Sequence, residues 1–347
     1  MSDSEYDVIV IGGGPAGLTA AWELRDRRLL LLEQTHRLGG RLYTEKRGDY
    51  WLNLGAHLFP APGSYMRNLM ISVGLDVIPI PGNKFAIWHG GKVHAPNSVT
   101  TLPLTLPLTA KERIAMARVG LKIRKAVQGW QQEMKPRQGE ATHHRRARVA
   151  SYMSDQSFRD FLGPLPERIE ALFRAAGQRA AAEPEDFSAS VGVALFGMVW
   201  AGKGDALAVN MLGGSGRLGE VLTDLLGERA LPNAKAVNVE KRGDQVAVTY
   251  EKDGRQHTAS TSQVIVAIPA IFAADIVKGL PAAVETTLRK VQYGAFPSMG
   301  VITNETVPMP WDDIYAITVP GATINMMFHH SNPLRAAGAY KASPDEF

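Results

Sequence analysis

Four consecutive apolar residues, Val8, Ile9, Val10 and Ile11, run without a gap into Gly12, Gly13, Gly14, Pro15, Ala16 and Gly17, and no other junction constrains the fold as strongly. A short β-branched run of this kind predicts a buried parallel strand. Residues 18–24 have helical character, so the glycines occupy a strand-to-helix turn. In such a turn Gly12 permits the tight reversal, Gly14 lets backbone approach a pyrophosphate, and Gly17 lets the helix pack close to the strand. The helix N-terminus then offers its amides to the anion. Residues 29–32, four leucines, predict a second buried strand, and Glu33 ends it. A carboxylate there can accept both ribose hydroxyls and repels a 2′-phosphate, which predicts a dinucleotide other than NADP.

A second glycine pair follows the acid in Arg37, Leu38, Gly39, Gly40 and Arg41. This arrangement resembles the FAD-dependent superfamily of flavin-containing amine oxidases, protoporphyrinogen oxidases and phytoene-type desaturases. Three later segments are similar to the same superfamily. Residues 51–57, closing on Gly55, Ala56 and His57, resemble the strand and glycine turn that run toward the flavin ring. Residues 212–227 resemble the helix by which the chain re-enters the FAD domain. Residues 236–239, 246–250 and 264–269, with Ala236, Val237, Ala267 and Pro269, resemble strands whose backbone contacts the adenosine half. The resemblance implies a Rossmann-like, glutathione-reductase-like α/β domain binding FAD, with an inserted α+β substrate domain. It places the FAD domain at residues 1–75 and 205–285 and the substrate domain at 76–204 and 286–347. Gly39, Gly40 and Arg41 would hold the flavin-side phosphate and the entrance to the ring.

Some positions depart from that pattern. The interval from Gly17 to Glu33 is short, and residues 25–28 lack a glycine to end the helix, which predicts a tight first reversal. Thr35 stands where many relatives carry an arginine. Several amine-oxidising relatives place a lysine near the flavin on a late strand, but residues 296–301, the best match, offer Ser298. That weighs against amine chemistry. His57 falls where an active-site neighbour would lie, but reads more readily as a satisfied buried histidine or one that only places backbone. No catalytic base is assigned.

The chain has no cysteine, which excludes disulfides, cysteine-ligated metal and a cysteinyl-linked flavin, so FAD is expected to be non-covalent. The first strand starts close to Met1 and no apolar run reaches the length of a membrane span, which predicts a cytoplasmic protein. Basic charge is concentrated in residues 111–148, with 11 Lys or Arg against 3 Asp or Glu. Only Trp130 in that window could stack on a base, so nucleic acid is not an expected partner. His143 and His144 lack further ligands at metal spacing, and no metal is expected.

Residues 102–108 carry prolines too often for a central strand, which predicts an edge, turn or exposed apolar loop. Thr109 then caps a helix on which Met116, Val119, Ile123, Val127, Trp130 and Met134 recur at spacings of three or four. Its basic face is either solvated over a packed stripe or a peripheral contact with an anionic membrane. Residues 138–148 read as a polar loop. Residues 155–200 read as further helices, with Phe158, Phe161, Leu162, Phe173, Phe187, Leu195, Phe196, Met198 and Trp200 supplying mainly core.

Ser343, Pro344, Asp345 and Glu346 form a helix start with only Phe347 after it, and relatives carry a further FAD-binding segment near their C-terminus. Truncation at that end is therefore expected. The function expected is FAD-dependent oxidation of a small, largely apolar substrate, with hydride passing from a C–H bond (CH–NH or CH–CH) to flavin N5 and electrons to oxygen or another acceptor. The alternatives are a flavin-dependent mutase similar to UDP-galactopyranose mutase, and a non-catalytic remnant that associates through its missing C-terminal region.

Overall fold

The computed structural model describes residues 4–48, 50–59, 64–80, 85–96, 101–200, 208–305, 307–336 and 338. The helix start expected at Ser343, Pro344, Asp345 and Glu346, the boundary expected at residue 205 and the side chains of Met198 and Trp200 lie outside the described residues. The chain divides into two compact units. One comprises Met1–Ile78, Val209–Gln292 and Ser298–Val301, the other Pro79–Ala208, Tyr293–Pro297 and Ile302–Phe347.

In the first unit a parallel sheet runs in the order Ala230–Leu231, Leu29–Leu32, Val8–Ile11, Val264–Val266. Its two central strands are buried along their whole length, which is why they read as unbroken apolar runs rather than alternating ones. The faces divide by the two-residue period of a strand. Val8, Val10, Leu29 and Leu31 pack with Leu18 and Ala21 of the Pro15–Glu23 helix and with Leu218 and Leu222 of the Arg217–Leu226 helix. Ile9, Ile11, Leu30 and Leu32 pack on the opposite side with Val239, Val248 and Ala259 of a second sheet. That sheet runs Ser4–Tyr6, Arg255–Thr261, Gln245–Lys252, Lys235–Arg242.

The second unit is built on the Ala110–Met134 helix. Thr109 caps it in a full capping box, its hydroxyl accepting from the Glu112 amide while the Glu112 carboxylate accepts from Thr109. Met116, Val119, Ile123 and Val127 are buried against Phe158, Ile169, Leu172 and Val193 of the helices that follow. The apolar stripe is thus packed, and Lys122 on its flank donates to the Phe161 carbonyl and lies 4.6 Å from the Phe161 ring. Among the described residues no helix is long and apolar enough to cross a membrane.

Three local expectations are corrected. Residues 102–108 are not an exposed loop or edge, because Leu102–Thr105 is a short helix with Pro103 in its first turn, where no donor is required. The chain leaving it turns Leu106 and Leu108 into the core. Residues 138–148 are a loop only as far as Ala141, since Thr142–Ser151 is helical although it buries no residue. What holds it is Arg148, which forks onto Glu140 at 2.6 and 2.8 Å, pairs with Glu133 at 2.6 Å and donates to the Lys135 carbonyl at the end of the long helix. Residues 296–301 form no strand: the segment is exposed, Met299 to 80%, and Pro297 has no amide to donate to a ladder.

The Arg148 fork holds the Glu140 carboxyl down at about 2, with the Arg137 amide contributing a further hydrogen bond. A depressed carboxyl stabilises the fold above its unfolded value and loses that contribution as pH falls toward the folded one. Thermal melts between pH 5 and 2 should therefore show stability falling more steeply for the parent than for Glu140→Gln. Parallel curves would remove Glu140 from the docking of the Thr142–Ser151 helix.

Candidate functional site

The site is assembled where the two glycine turns meet at the C-terminal end of the parallel sheet. Gly12 and Gly39 hold φ of +103° and +112°, backbone that side-chain-bearing residues rarely adopt. A Cβ on Gly17 would lie 1.8 Å from the Gly12 carbonyl oxygen, and a Cβ on Gly12 would lie 2.7 Å from the Ala267 oxygen. The first helix thus presses onto the strand ends, and Ala267 closes the underside, its amide bonded to the Ile11 carbonyl at 2.8 Å. A Cβ on Gly14, in contrast, would meet nothing within 4 Å. Gly14 caps the Pro15–Glu23 helix without any side chain, so the first-turn amides around Ala16 are left for a ligand.

Hydrogen bonds lace the second turn to the first. The Gly13 amide donates to Glu33 Oε2 at 2.7 Å, and the Gly39 amide donates to the Gly13 carbonyl at 2.8 Å. Gly40 faces Gly14, and a Cβ on Gly40 would stand 3.0 Å from the Gly14 α-carbon. Glu33 is buried, with 8% of its surface exposed, and its other oxygen accepts from both the amide and the hydroxyl of Thr35 at 2.8 Å.

Arg41 leads to the third segment. The Ala56 amide bonds to the Arg41 carbonyl at 3.1 Å, the Gly55 amide bonds to the Tyr43 carbonyl at 3.1 Å, and a Cβ on Gly55 would lie 2.1 Å from the Arg41 oxygen. His57 turns back, its Nδ1 3.1 Å from the Gly55 carbonyl. On the sheet side, the amides of Ala234 and Asn233 bond to the carbonyls of Glu33 and Thr35, which brings the start of the Lys235–Arg242 strand beside the carboxylate. Ala236 packs into the core there, and the pairing slips between Ala236 and Asn238, leaving Val237 at a bulge. Pro269, two residues past Ala267, caps the Ala270–Ile276 helix.

Sequence reasoning missed the buried polar cluster that braces this assembly. Asn53 Oδ1 accepts from the Ser215 amide and the Thr44 hydroxyl at 2.9 Å, Asn53 Nδ2 donates to Asn210, and the Gly216 amide donates to Thr44 Oγ1. Gly219 of the helix that follows lies so close that a Cβ there would be 2.3 Å from the Leu38 oxygen, beneath the second glycine pair. Asn and Thr in strand sequence carry no periodicity that announces such a cluster. A cleft of about 450 Å³ opens on this side, lined by Arg37, Tyr43, Thr44, Arg217 and Glu220 among others. Among the described residues no cluster of metal-ligating side chains occurs.

A parallel sheet, glycine turns at its C-terminal edge and a buried terminal acid define a Rossmann-like α/β protein of the FAD-binding type. The chain belongs to the flavin containing amine oxidoreductase family, whose sequence model matches residues 15–331. It is 31% identical over 101 residues to a probable flavin-containing monoamine oxidase A of Dictyostelium discoideum, a stretch covering 28% of this chain and 22% of the relative. It is 57% identical over 53 residues to a nicotine dehydrogenase of Pseudomonas putida, covering 15% of this chain and 11% of the relative. The structure is similar to putrescine oxidase bound to putrescine, with a TM-score of 0.62 at 19% identity over 84% of this chain and 64% of that one. It is similar also to cyclohexylamine oxidase from Brevibacterium oxydans IH-35A, with a TM-score of 0.60 at 19% identity over 82% and 62%. The chain thus spans under two thirds of these solved relatives, and its matches cover less than a quarter of the two curated ones.

Two glycines should separate by what they touch. Gly17→Ala must displace the Gly12 backbone and should cost about 1–3 kcal/mol of stability. Gly14→Ala enters open space at an ordinary backbone conformation and should change stability by no more than about 0.5 kcal/mol. Chemical denaturation of both variants measures the difference, and equal losses would contradict the packing described.

Proposed function

We propose that the chain binds FAD non-covalently and serves oxidation of a small organic substrate at a C–H bond, with oxygen or another acceptor taking the electrons. One observation carries the proposal: two laced glycine turns expose Gly14 and Gly40 to each other beside an uncapped helix N-terminus and a buried carboxylate. The residues present fit a dinucleotide. Space is left open at Gly14, where a pyrophosphate needs backbone approach, and closed at Gly12 and Gly17, where it does not.

FAD, when bound, supplies the hydride-accepting chemistry, and the protein's part is binding and orientation. Gly13, Gly14, Pro15, Ala16 and Gly17 would position the pyrophosphate at the helix terminus, whose amide dipoles stabilise its charge. Glu33 would take the adenosine ribose, and its charge would exclude a 2′-phosphate. Gly39, Gly40 and Arg41 would hold the flavin-side phosphate, with Gly55, Ala56 and His57 fixed to Arg41 on the path toward the ring. Ala236, Val237, Ala267 and Pro269 would line the adenosine side. The unit holding both glycine turns would be the FAD domain and the other the substrate domain. Putrescine oxidase and cyclohexylamine oxidase share the fold, which supports an amine or a similarly small molecule as substrate. Ser298, where a lysine stands in several amine-oxidising relatives, lies on the exposed segment, and no catalytic residue is assigned to it.

Purified protein incubated with FAD should retain flavin absorbance after desalting and melt at a higher temperature. Absence of both effects would end the proposal. Glu33→Ala removes a charged acceptor worth about 1.5–3 kcal/mol, so FAD should bind about 10- to 150-fold more weakly by fluorescence titration. The apo variant should also melt lower, because the buried Gly13 amide loses its acceptor. Unchanged affinity would remove Glu33 from the ribose site.

A further inference from the structure

Thr35 has one hydroxyl proton and two acceptors within reach of it. Its Oγ1 lies 2.8 Å from Glu33 Oε1 and 2.9 Å from the carbonyl oxygen of Arg37, at the entrance to the second glycine pair. A hydroxyl donates one hydrogen bond at a time, so only one of these contacts can be a donated bond at any moment. Glu33 Oε1 already accepts the Thr35 amide at 2.8 Å, and with the hydroxyl added both its lone pairs are engaged. Oε2 has one lone pair engaged by Gly13. In this state the carboxylate can accept one further donor, whereas two ribose hydroxyls would bring two.

We infer that the Thr35 hydroxyl is a switching donor, closing Glu33 Oε1 when the nucleotide is absent and turning to the Arg37 carbonyl when a ribose hydroxyl arrives. The inference rests on the nucleotide reading of the site given above. The carboxylate attracts the proton more strongly than a neutral carbonyl does, which sets the resting position. On binding, the ribose proton replaces the threonine proton on Oε1, and the threonine proton moves to an acceptor already in place. No hydrogen bond is lost in the exchange. Thr35 is exposed, so a ribose can reach it, while its backbone carbonyl is tied to the Asn233 amide at 2.9 Å and keeps the residue in position. Arg37 is held in turn by its guanidinium, which donates to the carbonyls of Leu42 and Gly40 at 3.1 and 2.9 Å. Thr35 is therefore a positioning residue that acts through Glu33.

The switch makes the protein tolerant of a missing ribose hydroxyl, because Thr35 swings back onto the vacated oxygen. Binding of ADP, 2′-deoxy-ADP and 3′-deoxy-ADP, the probes of the adenosine half, is measured by calorimetry for the parent, Thr35→Val and Thr35→Ser. For the hydroxyl that Oε1 accepts, the affinity ratio of ADP to its deoxy analogue should be about 10-fold larger in Thr35→Val than in the parent, and Thr35→Ser should restore the parent ratio. A merely structural threonine would weaken all three probes together. Ratios unchanged for both analogues would overturn the switch and leave the nucleotide site standing, whereas a parent protein that binds neither ADP nor FAD would overturn the site and the switch with it. Thr35→Ala reads the same ratio if the valine variant does not fold.

Discussion

A buried carboxylate bonded at 2.7 Å to the amide of Gly13 determines how the rest of the first unit is arranged. The Gly13 amide sits in a turn that a strand and a helix approach from either side, and a buried amide without an acceptor costs about 1–3 kcal/mol. Glu33 meets that requirement from the end of the neighbouring strand, so the register of Val8–Ile11 against Leu29–Leu32 and the shape of the first glycine turn are fixed together. The Gly13 carbonyl then accepts from Gly39, which sets the second turn on the first. Sheet register, turn shape and site geometry become one constraint.

The same logic extends outward through smaller contacts. Gly40 must lie against Gly14 because Gly39 is tied to Gly13, and Gly219 must be a glycine because the helix it belongs to presses on the Leu38 carbonyl from below. Thr44, Asn53, Asn210 and Ser215 satisfy one another's polar groups in the interior and fasten the start of that helix to the strand after the second turn. A fully satisfied buried network rigidifies its surroundings. A site of the kind proposed, holding a long, charged cofactor without a covalent link, would gain from such preorganisation, since less ordering would remain to be done on binding.

Much of this was legible in the amino-acid order. Apolar runs of four leucines and of Val-Ile-Val-Ile admit few environments other than a sheet covered on both faces, and glycines beside them mark close approach. The covered sheet and the belonging to the flavin-containing amine oxidoreductase family follow that pattern. The Thr109 cap was equally plain, because its chemistry is local. What sequence concealed was non-local. The Thr142–Ser151 helix has no apolar stripe and owes its place to Arg148 reaching Glu133 and Glu140. The Asn53 cluster joins residues more than 150 positions apart. Leu106 and Leu108 looked exposed because prolines near them break strands, yet a proline in a first helical turn breaks nothing.

If the laced turns are the nucleotide cradle, amide hydrogen exchange measured with and without FAD registers the cofactor at those turns. Exchange should slow on adding FAD at the amides of Gly13, Gly14 and residues 16–18, at those of residues 39–42 and around Thr35. The Thr142–Ser151 helix, in the other unit, should exchange as before. Protection absent from both glycine turns, or confined to residues outside them, would contradict the account.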